Sequence, residues 1–211
     1  SYDKKIQARI SGNPVRQQMF EAESTELRLK DRTGKIRLLV LGGSLGALAL
    51  NNILPEAIAL LAKEQRPAIR HQAGRGKVSE TQNNYQQTGV EAEVTDFVED
   101  MTEAYSWADL VVCRSGALTV SELTAIGVAA VLVPYPHAVD DHQTHNGQYL
   151  VDAGAAIMLQ QKGLTAELLA DELAELLADR AKLMQMSLAA HGLAKPKATT
   201  MIADAFEELI A

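Results

Sequence analysis

The sequence predicts an α/β domain, with a Rossmann-like, mainly parallel sheet covered by helices on both faces. Three observations carry that prediction. Short apolar runs alternate with longer segments of helical period, the signature of successive βαβ units. Three of those runs, residues 38–41, 110–113 and 131–133, are almost continuously apolar, as strands buried on both sides must be. Glycine-rich or small-residue turns join two of the runs to the helices that follow them, where open sheets of this class hold ligands.

The elements follow in order. Residues 1–34 are charged, contain Ser11-Gly12-Asn13-Pro14 and lack a clear period, so they read as an interdomain linker and N-terminal extension. Residues 35–211 read as one domain that includes the C-terminal helices. Residues 36–41 form a buried strand, 47–53 a short helix, and 55–63 a second helix opened by Pro55, since proline suits a first helical turn. A weaker strand spans 68–72, a polar helix 77–87, a third strand 91–95 and a short helix 100–107. The fourth strand is 109–113, with a helix over 118–126 closed by Gly127. The fifth, 129–133, is stopped by Pro134 and Pro136. A helix over 141–152, closed by Gly154, leads to a sixth strand at 155–159. From residue 165 onward the pattern is helical, in segments 165–179, 180–190 and 197–210.

Composition narrows the function. The chain has 211 residues, 47% hydrophobic and 22% charged, with a net charge of -7 and one cysteine. That length suits one large domain or two small ones and hides a sizeable core. A single cysteine excludes a disulfide framework and a thiolate zinc site. The longest apolar stretch, residues 128–135, is far short of the roughly 20 residues that span a bilayer. No signal-peptide pattern opens the chain. The acidic balance argues against a general nucleic-acid binder. Ser1 in place of Met suggests a fragment with a partner domain elsewhere.

Three loops carry candidate chemistry. The first, Gly42-Gly43-Ser44-Leu45-Gly46-Ala47, lets backbone approach a phosphate at a helix start. Its spacing is neither Gly-x-Gly-x-x-Gly nor a P-loop, and a tight structural turn explains it equally well. The second strand ends Arg70-His71-Gln72-Ala73-Gly74 without the carboxylate that would hold a dinucleotide ribose, which argues against a nicotinamide enzyme. The second loop is Cys113-Arg114-Ser115-Gly116-Ala117-Leu118-Thr119-Val120-Ser121-Glu122. Its amides suit a diphosphate and Glu122 suits a ribose diol, but Thr119-x-x-Glu122 also fits a capping box, which spacing alone favours. The third cluster holds His137, Asp140, Asp141, His142, Gln143, His145 and Asn146. It shows no metal-ligand spacing, and it reads either as a polar helix start with an aspartate cap or as donors and acceptors for sugar hydroxyls. Arg16 is a surface arginine or a phosphate or base contact, Cys113 a core thiol, and His71 structural.

Taken together, Gly12-Asn-Pro-Val-Arg16, Gly42-Gly-Ser-x-Gly-Ala47, Cys113-Arg-Ser-Gly-Ala-Leu-Thr-Val-Ser-Glu122 and Asp141-His-Gln-x-x-Asn146 occur in the order seen in the bacterial MurG glycosyltransferases. The sequence resembles that family from Ile10 to the C-terminus. The resemblance implies the C-terminal, UDP-N-acetylglucosamine-binding half of a GT-B enzyme, an inverting hexosyltransferase that converts lipid I to lipid II in peptidoglycan synthesis. Ser44 and the segment Ala117, Leu118, Thr119, Val120 and Ser121 would hold the UDP phosphates, supported by Gly42, Gly43, Gly46, Ser115 and Gly116. Glu122 would accept from the ribose, which reverses the preference for a cap. Arg16 would fix the nucleotide, and Phe97 and Val98 would form the uracil pocket. Gln143 would bind the sugar, with His142 and Asn146 beside it. Leu45 stands where the family often has Gln, and the loop 136–141 varies in length there.

The resemblance implies no metal and no cofactor. It puts the catalytic base, the lipid I contacts and the membrane patch in a missing N-terminal domain, with the full-length protein peripheral on the cytoplasmic face of the inner membrane. The chain alone is then expected to bind donor weakly without transferring it. Two rival readings keep the fold. One is a UDP-N-acetylglucosamine 2-epimerase-like isomerase that uses Asp140 and Asp141 as acid and base. The other is a non-catalytic binding module.

Overall fold

The computed structural model of the chain describes residues 11–43 and 47–210. Its strands are β1 Arg37–Leu41, β2 Ala68–Gln72, β3 Glu93–Thr95, β4 Leu110–Cys113, β5 Ala129–Leu132 and β6 Ala156–Met158. Its helices are α1 Gln17–Glu21, α2 Thr25–Lys30, α3 Leu48–Leu60, α4 Val78–Thr88, α5 Met101–Trp107, α6 Ala117–Ile126, α7 His142–Asp152, α8 Ala166–Ala178, α9 Arg180–Gly192 and α10 Ala198–Ile210. The strands form one sheet in the order β3-β2-β1-β4-β5-β6, every neighbouring pair parallel. Each strand lies within the segment its apolar pattern marks.

Strand alternation divides the interior into two cores. Leu38 and Val40 face one side with Leu50, Leu54 and Ile58 of α3 and Leu169 and Leu173 of α8. Leu39 and Leu41 face the other with Tyr105 of α5, Leu123 of α6 and Leu150 of α7. Strand order reverses direction between β1 and β4, so the loops that follow these two strands open a crevice at the carboxyl edge of the sheet.

Two expectations are corrected. Residues 47–63 are not two helices divided at Pro55. Helix α3 runs through it, and a short 3-10 turn follows at Lys63–Gln65. Pro55 has no N–H to give the carbonyl of Asn51, but Asn84 of α4 donates its side-chain amide to that oxygen at 3.3 Å. A tertiary partner supplies the missing bond, so the helix continues.

The segment before β1 is also more ordered than its lack of period suggests. It carries α1 and α2, and Met19, Thr25 and Arg28 are buried. Arg28 donates to the carbonyls of Ala108 at 3.0 Å and Gly127 at 2.5 Å, and Thr25 donates to Ile126 at 3.1 Å. Burial brings the Arg28 guanidinium down to about 10. Gly127 has a positive φ of 70°, and a Cβ there would collide with the Thr25 hydroxyl. At the amino edge of the sheet, Asp109 is buried and fully engaged. It accepts from Arg32 at 2.7 Å, from the Arg37 backbone at 2.9 Å and from Arg180 at 3.5 Å.

Candidate functional site

The crevice begins with the turn after β1. The Gly42 amide donates to the Gln72 carbonyl at 3.0 Å. Gly43 takes a φ of 76°, a conformation open chiefly to glycine. Ser44 and Gly46, both assigned to the phosphates, lie outside the described residues, as does Leu45. Helix α3 starts just beyond, with no side chain capping its first turn.

The loop after β4 is better defined. Helix α6 starts at Ala117, with Gly116 as an N-cap that has no side chain to offer. The amides of 117–119 therefore lack intrahelical partners and stand at the positive end of the helix dipole. This corrects two points. Residues 117–121 are a helical first turn rather than a loop, so Val120 donates its amide to the Gly116 carbonyl at 2.9 Å. The Val120 side chain is turned into the core, and the residue has no group left for a phosphate. The capping box does not form either, because the cap lies three residues before Thr119.

Glu122 instead accepts from the Tyr105 hydroxyl at 3.0 Å. Half-burial pushes its carboxyl above the usual range, opposed by the Tyr105 hydrogen bond and by the charge of Arg16. Arg16 itself is exposed at the head of α1. Three residues before it, Asn13 donates its side-chain amide to the Ala117 carbonyl at 3.1 Å and to the Ser121 hydroxyl at 3.0 Å. Ser121 in turn donates to the Ala117 carbonyl at 2.9 Å, so its hydroxyl is already engaged. Asn13, Val15, Ala117, Ser121, Asn146 and Tyr149 border a groove of about 430 Å³.

Helix α7 brings the third cluster to the same edge. Gly147 allows this, because a Cβ there would come within 2.8 Å of Met158 and 3.2 Å of Ser115. Asn146 donates to the Ser115 carbonyl at 3.3 Å. The Ser115 hydroxyl is buried with no partner among the described residues. Gln143 accepts from the Tyr135 amide at 2.9 Å through its side-chain oxygen, which leaves its amide hydrogens for other acceptors. His142 is exposed at the first turn. Asp140 and Asp141 hold φ of 52° and 51°, left-handed backbone that costs non-glycine residues energy. The expected aspartate cap is in position at Asp141, but its carboxylate accepts from Thr144 at 2.7 Å rather than from a backbone amide. Among the described residues no group of three or more His, Cys, Asp or Glu side chains is placed to hold a metal.

Phe97 and Val98 lie between β3 and α5. Phe97 is 62% exposed, and the two border a groove of about 320 Å³ with Gln72, Thr95, Asp100 and Glu103. At its rim Arg70 donates to both Glu103 oxygens at 3.0 Å and lies 4.3 Å from the Trp107 ring centre. The two residues read as structural are so placed. His71 is within hydrogen-bond distance of the Tyr85 hydroxyl (2.9 Å) and the Asn51 side-chain oxygen (3.1 Å), and burial lowers it to about 3. Burial pushes the Cys113 thiol up to about 12, and nearby Glu122 adds to the shift, so it is no nucleophile.

Comparison with known proteins gives the family of this fold. Residues 37–204 match the glycosyltransferase family 28 C-terminal domain. The chain belongs to that family.

Its relatives sharpen the assignment. It is 51% identical over 202 residues to a UDP-N-acetylglucosamine–N-acetylmuramyl-(pentapeptide) pyrophosphoryl-undecaprenol N-acetylglucosamine transferase of Marinobacter nauticus, covering 96% of this chain and 56% of that protein. It is 50% identical to the like-named transferase of Cupriavidus necator, covering 94% and 55%. The chain thus spans about half the length of these relatives. Among solved structures it is similar to MurG of Acinetobacter baumannii, with a TM-score of 0.84, 40% identity, and coverage of 90% of this chain and 55% of that one. A putative UDP-N-acetylglucosamine 2-epimerase of Listeria monocytogenes shares the fold at a TM-score of 0.60 and 12% identity. The architecture is the C-terminal half of a GT-B glycosyltransferase.

Within this family 28 domain, sequence reasoning missed two residues. Asn13 bonds a residue 104 positions away, and nothing local signals that. Tyr105 reads as one more apolar residue of a short helix, although its hydroxyl is the partner of Glu122. The tyrosine four residues before the Asp-Leu-Val-Val strand was the available signal, because a buried phenol needs an acceptor.

Proposed function

We propose that this chain is the donor-binding half of an inverting glycosyltransferase that moves N-acetylglucosamine from its UDP donor to lipid I, forming lipid II for peptidoglycan. The observation that carries this reading is the uncapped start of α6 beside Glu122, at the switch point of the sheet. The free amides of Ala117, Leu118 and Thr119 face the diphosphate. As the glycosidic bond breaks, negative charge grows on that leaving group, and preorganised amides and the helix dipole stabilise it without reorganising. Glu122 accepts from the ribose hydroxyls, Arg16 adds positive charge beside the nucleotide, and Phe97 and Val98 flank the base. The free amide hydrogens of Gln143 meet the sugar, with His142 and Asn146 beside it. Ser44 completes the phosphate contacts.

The domain division that fits this reading is a connecting segment over 1–34 and the donor domain over 35–211. The acceptor hydroxyl, its base, lipid I and the contact with the cytoplasmic face of the inner membrane belong to the length that the relatives have beyond this chain. No helix among the described residues is long and apolar enough to cross a membrane.

Calorimetry of the purified chain with UDP and UDP-N-acetylglucosamine tests the proposal. Saturable binding, weakened by Arg16→Ala, is expected. No heat at millimolar ligand overturns it, and appearance of the 2-epimer on incubation with the donor would replace it with an isomerase.

A further inference from the structure

The groove beside Phe97 and Val98 contains a polar group that the fold leaves unused. Gln72 closes β2 at the carboxyl edge of the sheet. Its backbone is pinned on both sides, in register with Leu41 of β1 and Thr95 of β3. Its carbonyl accepts from the Gly42 amide at 3.0 Å. Side-chain alternation along β2 puts His71 toward α3 and α4, where it meets Asn51 and Tyr85. Gln72 therefore shares the opposite face with Arg70, which reaches α5 through Glu103 and Trp107. That is the face on which Glu122 and Tyr105 meet.

Gln72 is 94% buried, being 6% exposed, and lines the groove with Thr95, Phe97 and Val98. Its carboxamide makes no hydrogen bond to any described residue. The other buried amide of this region, Asn51, is fully used between the Ala73 carbonyl and His71. The carboxamide thus meets only the solvent of the groove, where a ligand that enters can take up its hydrogen-bonding groups.

We propose that Gln72 anchors the base of the bound nucleotide, its carboxamide hydrogen-bonding a polar edge of the ring from the floor of the groove. This rests on the donor-site reading above and adds a contact to it. A pyrimidine dione carries two carbonyl acceptors on either side of one N–H. When loop backbone reads one carbonyl and the N–H, the second carbonyl still needs a donor. The amide hydrogens of Gln72 supply it, and that bond satisfies both groups at once. The Arg70–Glu103 pair closes the rim, so neither of those charges is free to compete for the base.

The test compares wild type with Gln72→Leu and Gln72→Glu by calorimetry, using UDP and, as a probe without a base, ribose 5-phosphate. Gln72→Leu keeps a side chain of similar size without the amide, and Gln72→Glu keeps the shape but turns the donor into an acceptor. The expected result is a loss of UDP affinity of about tenfold for Leu, and more for Glu, as one hydrogen bond implies. Ribose 5-phosphate should bind all three proteins alike. Equal loss for both ligands means that the substitutions distort the domain, and overturns the base contact. UDP binding within twofold of wild type in Gln72→Leu overturns it too, with the donor reading left standing. Failure of wild type to bind UDP overturns both.

Discussion

Two acidic residues at opposite edges of the sheet differ in how fully the fold uses them. Asp109, at the amino edge, is 2% exposed and engages two arginines and a backbone amide. Glu122, at the carboxyl edge, is half-buried with one hydrogen-bond donor, the Tyr105 hydroxyl. Among the helix starts, Ser24, Asp100, Thr165 and Asp179 cap α2, α5, α8 and α9 with their side chains, whereas α1, α3, α4, α6 and α7 start without a side-chain cap. Where polar groups satisfy one another, they fix the fold. Where they are left open around the crevice, they are available to the ligand proposed above.

The largest effect should come from breaking the satisfied edge. Asp109→Ala strips the acceptor from Arg32, Arg180 and the Arg37 amide and leaves partly buried cations unpaired. A loss of about 3–5 kcal/mol is expected in urea unfolding. The UDP affinity of the folded fraction should be unchanged, since this edge is remote from the crevice. A loss below 1 kcal/mol would show that the network adds little.

His71 gives the next effect, read against pH. It is buried in its neutral form, with its pKa lowered from 6.5 to about 3. The unfolded chain therefore takes up a proton below pH 6.5 that the folded one refuses. Stability from this group is complete above 6.5 and is lost as the pH falls toward 3. His71→Gln keeps hydrogen-bonding capacity without titrating in this range, and should flatten the stability–pH curve between those limits. An unchanged slope would mean that the ring charges inside the fold.

At the open edge, Glu122→Gln should weaken UDP binding about ten- to a hundredfold, the range of a hydrogen bond to a charged group. The ligand-free domain should respond in the opposite sense. Folding raises the carboxyl, so its contribution favours the fold below the unfolded pKa and is lost as pH rises through the raised value. Gln removes that loss, so the melting temperature at neutral pH should rise slightly while affinity falls. Both falling together would place Glu122 with Asp109 as a structural residue.

The same contrast explains what was legible in the sequence. The strands were legible because burial on both faces leaves an unbroken apolar run, as in residues 110–113. Glu122 was visible as a carboxylate near a strand end, but its use was not. The capping-box spacing needs a cap at Thr119, whereas the helix starts at Ala117 with its cap three residues before Thr119, at Gly116. Pro55 misled because its orphaned carbonyl partner is rescued by Asn84 from another helix. The segment around α1 and α2 misled because its contacts run to distant backbone carbonyls, which no residue pattern records.

The smallest prediction concerns Asn13. It touches no ligand group in the proposed site, yet it ties the Gly12–Arg16 segment to the first turn of α6 through the Ala117 carbonyl and the Ser121 hydroxyl. Those bonds set where Arg16 stands relative to Glu122. Asn13→Ala frees the segment at an exposed site, so stability should change by less than about 1 kcal/mol. UDP affinity should fall about two- to fivefold, because ordering Arg16 is then left to the ligand. In an Arg16→Ala background the same substitution should add nothing further, since the residue that it positions is gone. Additive losses in the double variant would mean that Asn13 acts on the α6 amides directly. That outcome would shift the positive character of the open edge from Arg16 to the helix start.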